Sequence, residues 1–311
     1  MADESFPPSP NCRLYAVLAR DGRSAVVFRR GPSKHVCLIR WWLASDEIEV
    51  GQWLKGRIYE RRSDLSHDGE LLVYLAAKHK GPIDVWNAVS RPPHLKALAL
   101  WANLGTWGGG GLFEGNRTLG LSVRQDPPEL VRDFRLPRDF RVKRVAEWGG
   151  MGEDNPIEHV RMERDGWRIR SEGKAERYRG DGPARWLMEE PEVYEREQPP
   201  VRVQGGKTAS SVLRREKLAI GVTGGPWLLH DFSLHGAAGE LRRFKACDWA
   251  DWQSNGDLLI ATGGALYRLG AASAREQVAD PLAGAHRVAD LSGLRFEAKP
   301  SPPEARRWPW A

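Results

Sequence analysis

The chain has 311 residues, 41% hydrophobic and 28% charged, with a formal net charge of +6 and a pI near 9.3. These are the shares of a soluble globular protein able to bury a sizeable core. No apolar run approaches the roughly 20 residues of a membrane-crossing helix, so no membrane partner is expected.

The opening ten residues, MADESFPPSP, show neither a basic start nor an apolar stretch, so no secretory signal is visible. Residues 1–12 read as an N-terminal arm. Cys12, Cys37 and Cys247 lie far apart and are odd in number, which fits reduced thiols in a cytoplasm and not a disulfide framework. Lysine and arginine are interleaved with 41 acidic residues. The basic balance therefore permits attraction to polyanions, but a plain solvated surface explains it as well.

The first strand-like segments are Leu14–Leu18, Ala25–Phe28, Val36–Leu43 and Glu47–Leu54, with a turn at Asp21-Gly22. The next set is the clearest: Glu60–Ser66, Leu71–Ala77, Asp84–Ser90 and Lys96–Trp101. Its separators are Asp68-Gly69, Lys78–Pro82 and Arg91-Pro92-Pro93, where proline's missing donor does no harm. Asp-Gly between two strands predicts a type I′ hairpin, with both central residues at positive φ. A third set opens with Trp107-Gly-Gly-Gly-Gly-Leu-Phe113 and turns at Gly115-Asn116. A phosphate loop would be as rich in glycine, but the lysine and following helix of a Walker motif are missing. Close approach of backbones explains the run better.

Regularity fades between Asp126 and Gln204. Asp165-Gly166 predicts another hairpin turn, while Gly173–Asp181 and Glu189–Pro200 read as long loops. Arg185–Glu190 fits either a helical turn or a strand, and Ser210–Lys217 fits a short helix. Leu218–Leu229 reads as two strands around Gly224-Gly225. The last set is clear again, with Asp248–Trp252, Leu258–Ala261 and Ala265–Leu269, and a turn at Asn255-Gly256. In the tail Pro300–Trp310, Trp308 and Trp310 either pin the segment or present a partner motif.

The spacing of the turns is the stronger signal. Asp21 and Asp68 are 47 residues apart, a further 47 reaches Gly115, and 50 more reach Asp165. The remaining 90 residues to Asn255 make two further steps, with the intervening turn expected at Gln204–Lys207. Propeller blades run roughly 40–50 residues. The predicted fold is an all-β propeller of six blades (or five), each a four-stranded antiparallel sheet. It would occupy residues 13–298 as one domain, with insertions near 124–140 and 171–210 and a tail of 299–311. Fourteen tryptophans would fill the wedges between sheets.

Leu65-Ser-His-Asp-Gly-Glu-Leu-Leu-Val-Tyr74 and Trp252-Gln-Ser-Asn-Gly-Asp-Leu-Leu-Ile260 resemble the S-x-D-G-x-x-L/I core of the TolB-like propeller repeat. That repeat is a relative of the tryptophan–aspartate repeats. The secretory signal of a periplasmic TolB protein is missing, and neither the Gly-His nor the Trp-Asp mark recurs. Ser66–Gly69 is also similar to the Asp-box of sialidases, without its recurrence. The resemblance implies a fold, and function does not follow from it.

Aligned on their turns, the units place Arg13, Arg61, Trp107, Glu158 and Asp248 at or near the starts of innermost strands, with His230 or Asp231 from the fifth unit. Such a ring would bind a polar ligand or a cation, or its arginines and acids would pair with each other. His230, Asp231 and His235 match no established zinc spacing, and no G-x-S-x-G elbow is present. No metal, cofactor or catalytic residue is therefore expected. Arg40, Trp41, Trp53, Arg57, Tyr59 and Arg61 interleave aromatics with cations. That is the chemistry of an acidic-peptide or nucleic-acid contact, and equally of arginines stacked on indoles within a sheet. The expected function is a non-enzymatic module that binds a protein partner. The alternatives are a metal-dependent, lactonase-like hydrolase using Glu158 and Asp248, and weak polyanion binding.

Overall fold

The computed structural model describes residues 12–31, 34–123, 127–145, 157–178, 182–200 and 210–310. The expected turn at residues 204–207 and nearly all of the N-terminal arm lie outside them. The chain divides into two compact units, Tyr15–Asp165 with Leu294–Ala311, and Met1–Leu14 with Gly166–Gly293.

In the first unit, sheet I is β1 (Arg13–Leu18), β2 (Ser24–Arg30), β3 (His35–Trp42) and β4 (Glu47–Lys55), in that order; β1 runs across the boundary. Sheet II is β5 (Arg57–Leu65), β6 (Leu72–Ala77), β7 (Val85–Ser90) and β8 (Ala97–Ala102). Both are antiparallel meanders whose strands begin and end within a few residues of the predicted bounds. The inner strands β2 and β6 are apolar runs buried along almost their whole length, so both of their faces are covered. The last strand, β4, alternates between exposed and half-buried residues over Glu47–Val50.

The hairpin turns keep their positions but not their predicted type. Gly22, Gly69 and Gly256 are left-handed (φ +74°, +71° and +88°), while the preceding Asp21, Asp68 and Asn255 are not. In each, the glycine amide donates to the carbonyl three residues back (Ala19, Ser66, Gln253). This is a type I turn closed by one left-handed glycine. The cause lies in the side chain before the glycine. Asp21, Asp68 and Asn255 accept from the amides of Arg23, Glu70 and Asp257 at 2.9, 3.1 and 3.0 Å, an Asx turn that needs no positive φ at the acceptor.

These turns also bond to one another. The Asp21 amide donates to the His67 carbonyl at 3.0 Å, the His67 amide to the Gly115 carbonyl at 3.3 Å, and the Asp68 amide to Asn116 Oδ1 at 3.0 Å. A Cβ on Gly69 would lie 2.7 Å from Ser24 Oγ and 2.9 Å from Ala19 Cβ. Successive turns are thus fixed side by side by backbone hydrogen bonds.

Sheet III departs from the expected four antiparallel strands. It holds β9 (Gly111–Phe113), β10 (Thr118–Leu121) and β11 (Arg141–Arg144), and β10–β11 is parallel. A parallel neighbour needs a crossover, and ahead of β11 the Val131 amide bonds the Leu100 carbonyl. Phe140, next to β11, packs with Trp101, Phe113 and Leu119 in the core between sheets II and III. Trp308 and Trp310 lie on Phe140, with ring centroids 4.7 and 6.3 Å away, so the tail is pinned.

The predicted hairpin at Asp165-Gly166 is corrected: it is the end of helix α1 (Ile157–Arg164). The Asp165 amide bonds the Arg161 carbonyl at 2.9 Å, and Gly166 takes φ +94° as the left-handed residue after the helix. Ile157, Glu158, Arg161 and Met162 form its buried stripe, with the helical spacing of P-free, amphipathic sequence. Glu158 therefore stands on a helix, not at the start of a strand.

In the second unit, sheet IV contains β12 (Arg168–Ser171), β13 (Lys174–Arg177), β14 (Ala184–Glu197), β15 (Val212–Val222), β16 (Leu228–Gly236) and β17 (Gly239–Phe244). Its order is β12-β14-β15-β16-β17, with β13 also on β14. Within segments predicted as loop, residues 174–177 and 189–197 are strand, and so are residues 212–217 of the predicted helix. Their charged residues sit on half-exposed ladders, where cross-strand ion pairs such as Arg214–Glu195 (2.6 Å) and Lys217–Glu192 (2.7 Å) supply what apolar alternation does elsewhere. Sheet V is β18 (Trp249–Trp252), β19 (Leu258–Thr262), β20 (Ala265–Leu269) and β21 (Ala285–Asp290), close to prediction. The described residues thus form five sheets, mostly antiparallel.

Candidate functional site

Each residue singled out from the sequence has a definite setting. Trp41 is fully buried, and its Nε1 donates to Asp46 Oδ1 at 2.9 Å. Arg40 is buried, stacked 4.0 Å over Trp42 and bonded to Glu70 at 2.8 Å. Burial works against ionisation of Glu70, yet the hydrogen bonds and charges of Arg40 and Arg91 hold its carboxyl below the usual range. Trp53 meets Phe296 edge-on at 6.2 Å, with Arg29 5.4 Å above its ring. Arg57 lies 4.6 Å over the buried Tyr59. The aromatic–cation interleaving is therefore realised as stacks within and beside sheets I and II.

Of the expected ring, Arg61, Trp107 and Glu158 belong to the first unit and Arg13, His230 and Asp248 to the second. Arg61 Nη1 lies 2.5 Å from Glu158 Oε1, and the Tyr15 hydroxyl donates to the same oxygen at 3.3 Å. Arg161 reaches the Tyr15 hydroxyl and the Ser63 carbonyl. One turn on, Arg164 grips buried Asp64 with two bonds of 2.7 and 3.0 Å, and Asp64 also accepts the Phe113 amide at 2.8 Å. Helix α1 is thus held on β5 by a buried ionic network. In the second unit, Arg13 donates to the Gly225 carbonyl at 2.8 Å, Asp248 accepts the Leu14 amide at 3.1 Å, and His230 is buried opposite Lys217 on β15.

The nucleophile chemistry is muted. Burial pushes the Cys37 thiol up to about 12 and raises that of Cys247 further, so both stay protonated at neutral pH. Asp231 accepts the Ala246 amide at 2.8 Å and His235 lies 2.9 Å from Ser233 Oγ. Among the described residues, no three His, Cys, Asp or Glu side chains are grouped to hold a metal ion.

A different surface emerges between β8 and β9. Leu104 is 89% exposed and Trp107 69%, the two most exposed large apolar side chains among the described residues. The loop bearing them is nevertheless tied down. Asn103 Nδ2 donates to the carbonyls of Gly105 (2.6 Å) and Gly108 (3.0 Å). From below, the fully buried Arg62 donates to the carbonyls of Thr106 (2.9 Å) and Gly108 (3.1 Å). Buried Asn87 accepts the Gly110 amide at 2.6 Å. The glycine run makes this possible. Gly109 and Gly110 have φ of +105° and +92°, and a Cβ on Gly110 would strike the Arg62 backbone carbonyl. The expected close approach of backbones is seen here. Leu104 was missed by sequence reasoning, because an isolated leucine in a loop carries no periodic signal. The neighbouring tryptophan before four glycines was the available clue.

No family model matches this chain, and no curated protein matches it. Among solved structures, prolyl oligopeptidase B from Galerina marginata, as the apo protein, aligns over 90% of this chain at 10% identity with a TM-score of 0.19. The alignment covers 34% of that protein, so this chain spans about a third of its length, and a likeness this slight carries no argument. The comparisons do not show a TolB-like family.

Proposed function

We propose that this chain is a non-catalytic interaction module of propeller type, acting in the cytoplasm, which captures a protein partner through the loop Asn103–Gly110. One observation carries the reading: Leu104 and Trp107 stand in water on a loop whose carbonyls are gathered by Arg62 and Asn103. Two large apolar side chains held out on an ordered loop are suited to insertion into a partner pocket, which would bury them. Because the loop backbone is already ordered, binding has only the two side chains left to fix, which lowers the ordering cost. The propeller reading draws on the meander sheets and the turn-to-turn hydrogen bonds, which give each loop a rigid base.

The test is affinity capture with immobilised wild-type chain and with Leu104→Ala/Trp107→Ala, followed by titration of the purified partner. A partner recovered by the wild type alone, and bound at least about tenfold more weakly by the variant, is the expected result. Equal binding by both chains removes the loop from the contact and ends this reading.

A further inference from the structure

The loop does not stand alone at its end of the sheets. A continuous path of backbone contacts leads from it to four lysines. The Asn103 amide bonds the Val85 carbonyl at 2.9 Å, so Leu104 follows directly on the start of β7. The β6–β7 connection before it, Lys78-His-Lys-Gly-Pro-Ile-Asp84, is closed by the Lys78 amide on the Asp84 carbonyl at 2.8 Å. A Cβ on Gly56 would sit 2.7 Å from the Ala77 carbonyl and 3.2 Å from Lys78 Cγ, which brings the β4–β5 connection alongside. The Gly56 amide in turn bonds the Lys34 carbonyl at 2.7 Å.

Lys34, Lys55, Lys78 and Lys80 are all exposed, as is His79. Carboxylates here include the exposed Asp84 and Glu297, the latter drawn 3.8 Å from Lys299, and Glu60, which is turned inward onto Arg30 at 2.6 Å. Apolar surface continues among the lysines. Phe296 is 39% exposed, and Lys55 Nζ lies 4.2 Å from its ring centroid.

Resting on the interaction-module reading, we infer that the partner presents an acidic segment studded with apolar side chains. Its carboxylates meet Lys34, Lys55, Lys78 and Lys80 while Leu104 and Trp107 enter its apolar positions. Lysine is a strongly hydrated point charge that attracts carboxylates at the rim of a contact without demanding paired geometry. Among the described residues, the opposite end of the same sheets carries the exposed Lys96 but no such group of lysines. There the arginines are held by carboxylates, as in Arg40–Glu70 and Arg164–Asp64. Single-stranded nucleic acid would share the electrostatics, but it gains affinity from stacked rings and guanidinium planes. Trp107 would serve a stacked base as well as an apolar pocket, but Leu104, the most exposed large apolar side chain among the described residues, offers no stacking plane.

Fluorescence anisotropy with three labelled probes tests this. They are a peptide alternating glutamate with leucine and phenylalanine, its glutamine counterpart, and oligothymidine. The glutamate peptide is expected to bind about tenfold tighter than the glutamine peptide at low salt, with the gap narrowing at physiological ionic strength. Lys55→Ala/Lys78→Ala/Lys80→Ala should close that gap, whereas Leu104→Ala/Trp107→Ala should weaken both peptides alike. Equal binding of the two peptides, tighter binding of oligothymidine, or binding of none of the probes overturns the acidic preference. Equal binding of the two peptides that still needs Trp107 would overturn only that preference and leave the module reading standing. Glutamate-peptide binding indifferent to Leu104 and Trp107 would keep the lysine rim and remove the loop.

Discussion

At one end of sheets I and II, the amides of Asp21, His67 and Asp68 each bond into the next turn, and glycine at position 69 lets two sheets touch. At the other end, the Gly56 amide bonds the Lys34 carbonyl and the Asn103 amide the start of β7, yet the side chains of Lys55, Lys78, Leu104 and Trp107 are left in water. Both ends have fixed backbones. They differ in where the side chains go: inward to Asx turns and ion pairs at the first, outward at the second. Rigidity and availability for contact are thus separate properties, set by side-chain direction on equally ordered loops.

The largest blow to the closed end should come from Asp64→Ala. It removes two bonds from Arg164, which keeps Asp165, and strands the buried Phe113 amide, and the loss is about 3 kcal/mol, read as the urea midpoint. Arg62→Met joins the two ends, because Arg62 lies in the buried strand while its guanidinium holds the exposed loop. Stranding the Thr106 carbonyl and removing one of the two donors to that of Gly108 should cost about 2–3 kcal/mol, and the loop should become protease-sensitive between Leu104 and Gly108. Gly69→Ala meets both a positive φ and the Ser24 and Ala19 side chains, so a loss of about 2 kcal/mol is expected in thermal unfolding.

Glu70→Gln is smaller and depends on pH. The folded carboxyl lies below its ordinary value, so its stabilisation is present above the unfolded pKa of about 4.3 and is lost as pH falls through the folded value. Wild type should therefore exceed the variant by about 1 kcal/mol at neutral pH and converge with it in acid. Least of all, Leu104→Ala/Trp107→Ala should move stability by less than about 0.5 kcal/mol while abolishing partner capture. A large loss of stability there would mean that the exposed end is structural as well.

The reach of the sequence differed by region. In sheets I, II and V the apolar runs are dense and the turns carry Asp-Gly or Asn-Gly, so strand bounds came out within a few residues. In sheet IV the same geometry is written in charged residues, and Lys, Arg and Glu pairing across β14 and β15 leave no apolar period to read. The Asp165-Gly166 dipeptide misled because a left-handed glycine ends a helix as readily as it closes a hairpin.

By itself the sequence determined a mostly-β chain and the turns at Asp21, Asp68 and Asn255, because glycine's φ range and the Asx side chain act locally and need no distant partner. Tertiary structure alone decided that Arg61 neutralises Glu158, that Arg62 reaches 44 residues along the chain to hold Thr106, and that Leu104 stays in water. Those outcomes depend on which strands lie side by side, and long side chains find their partners only after the backbone has placed them.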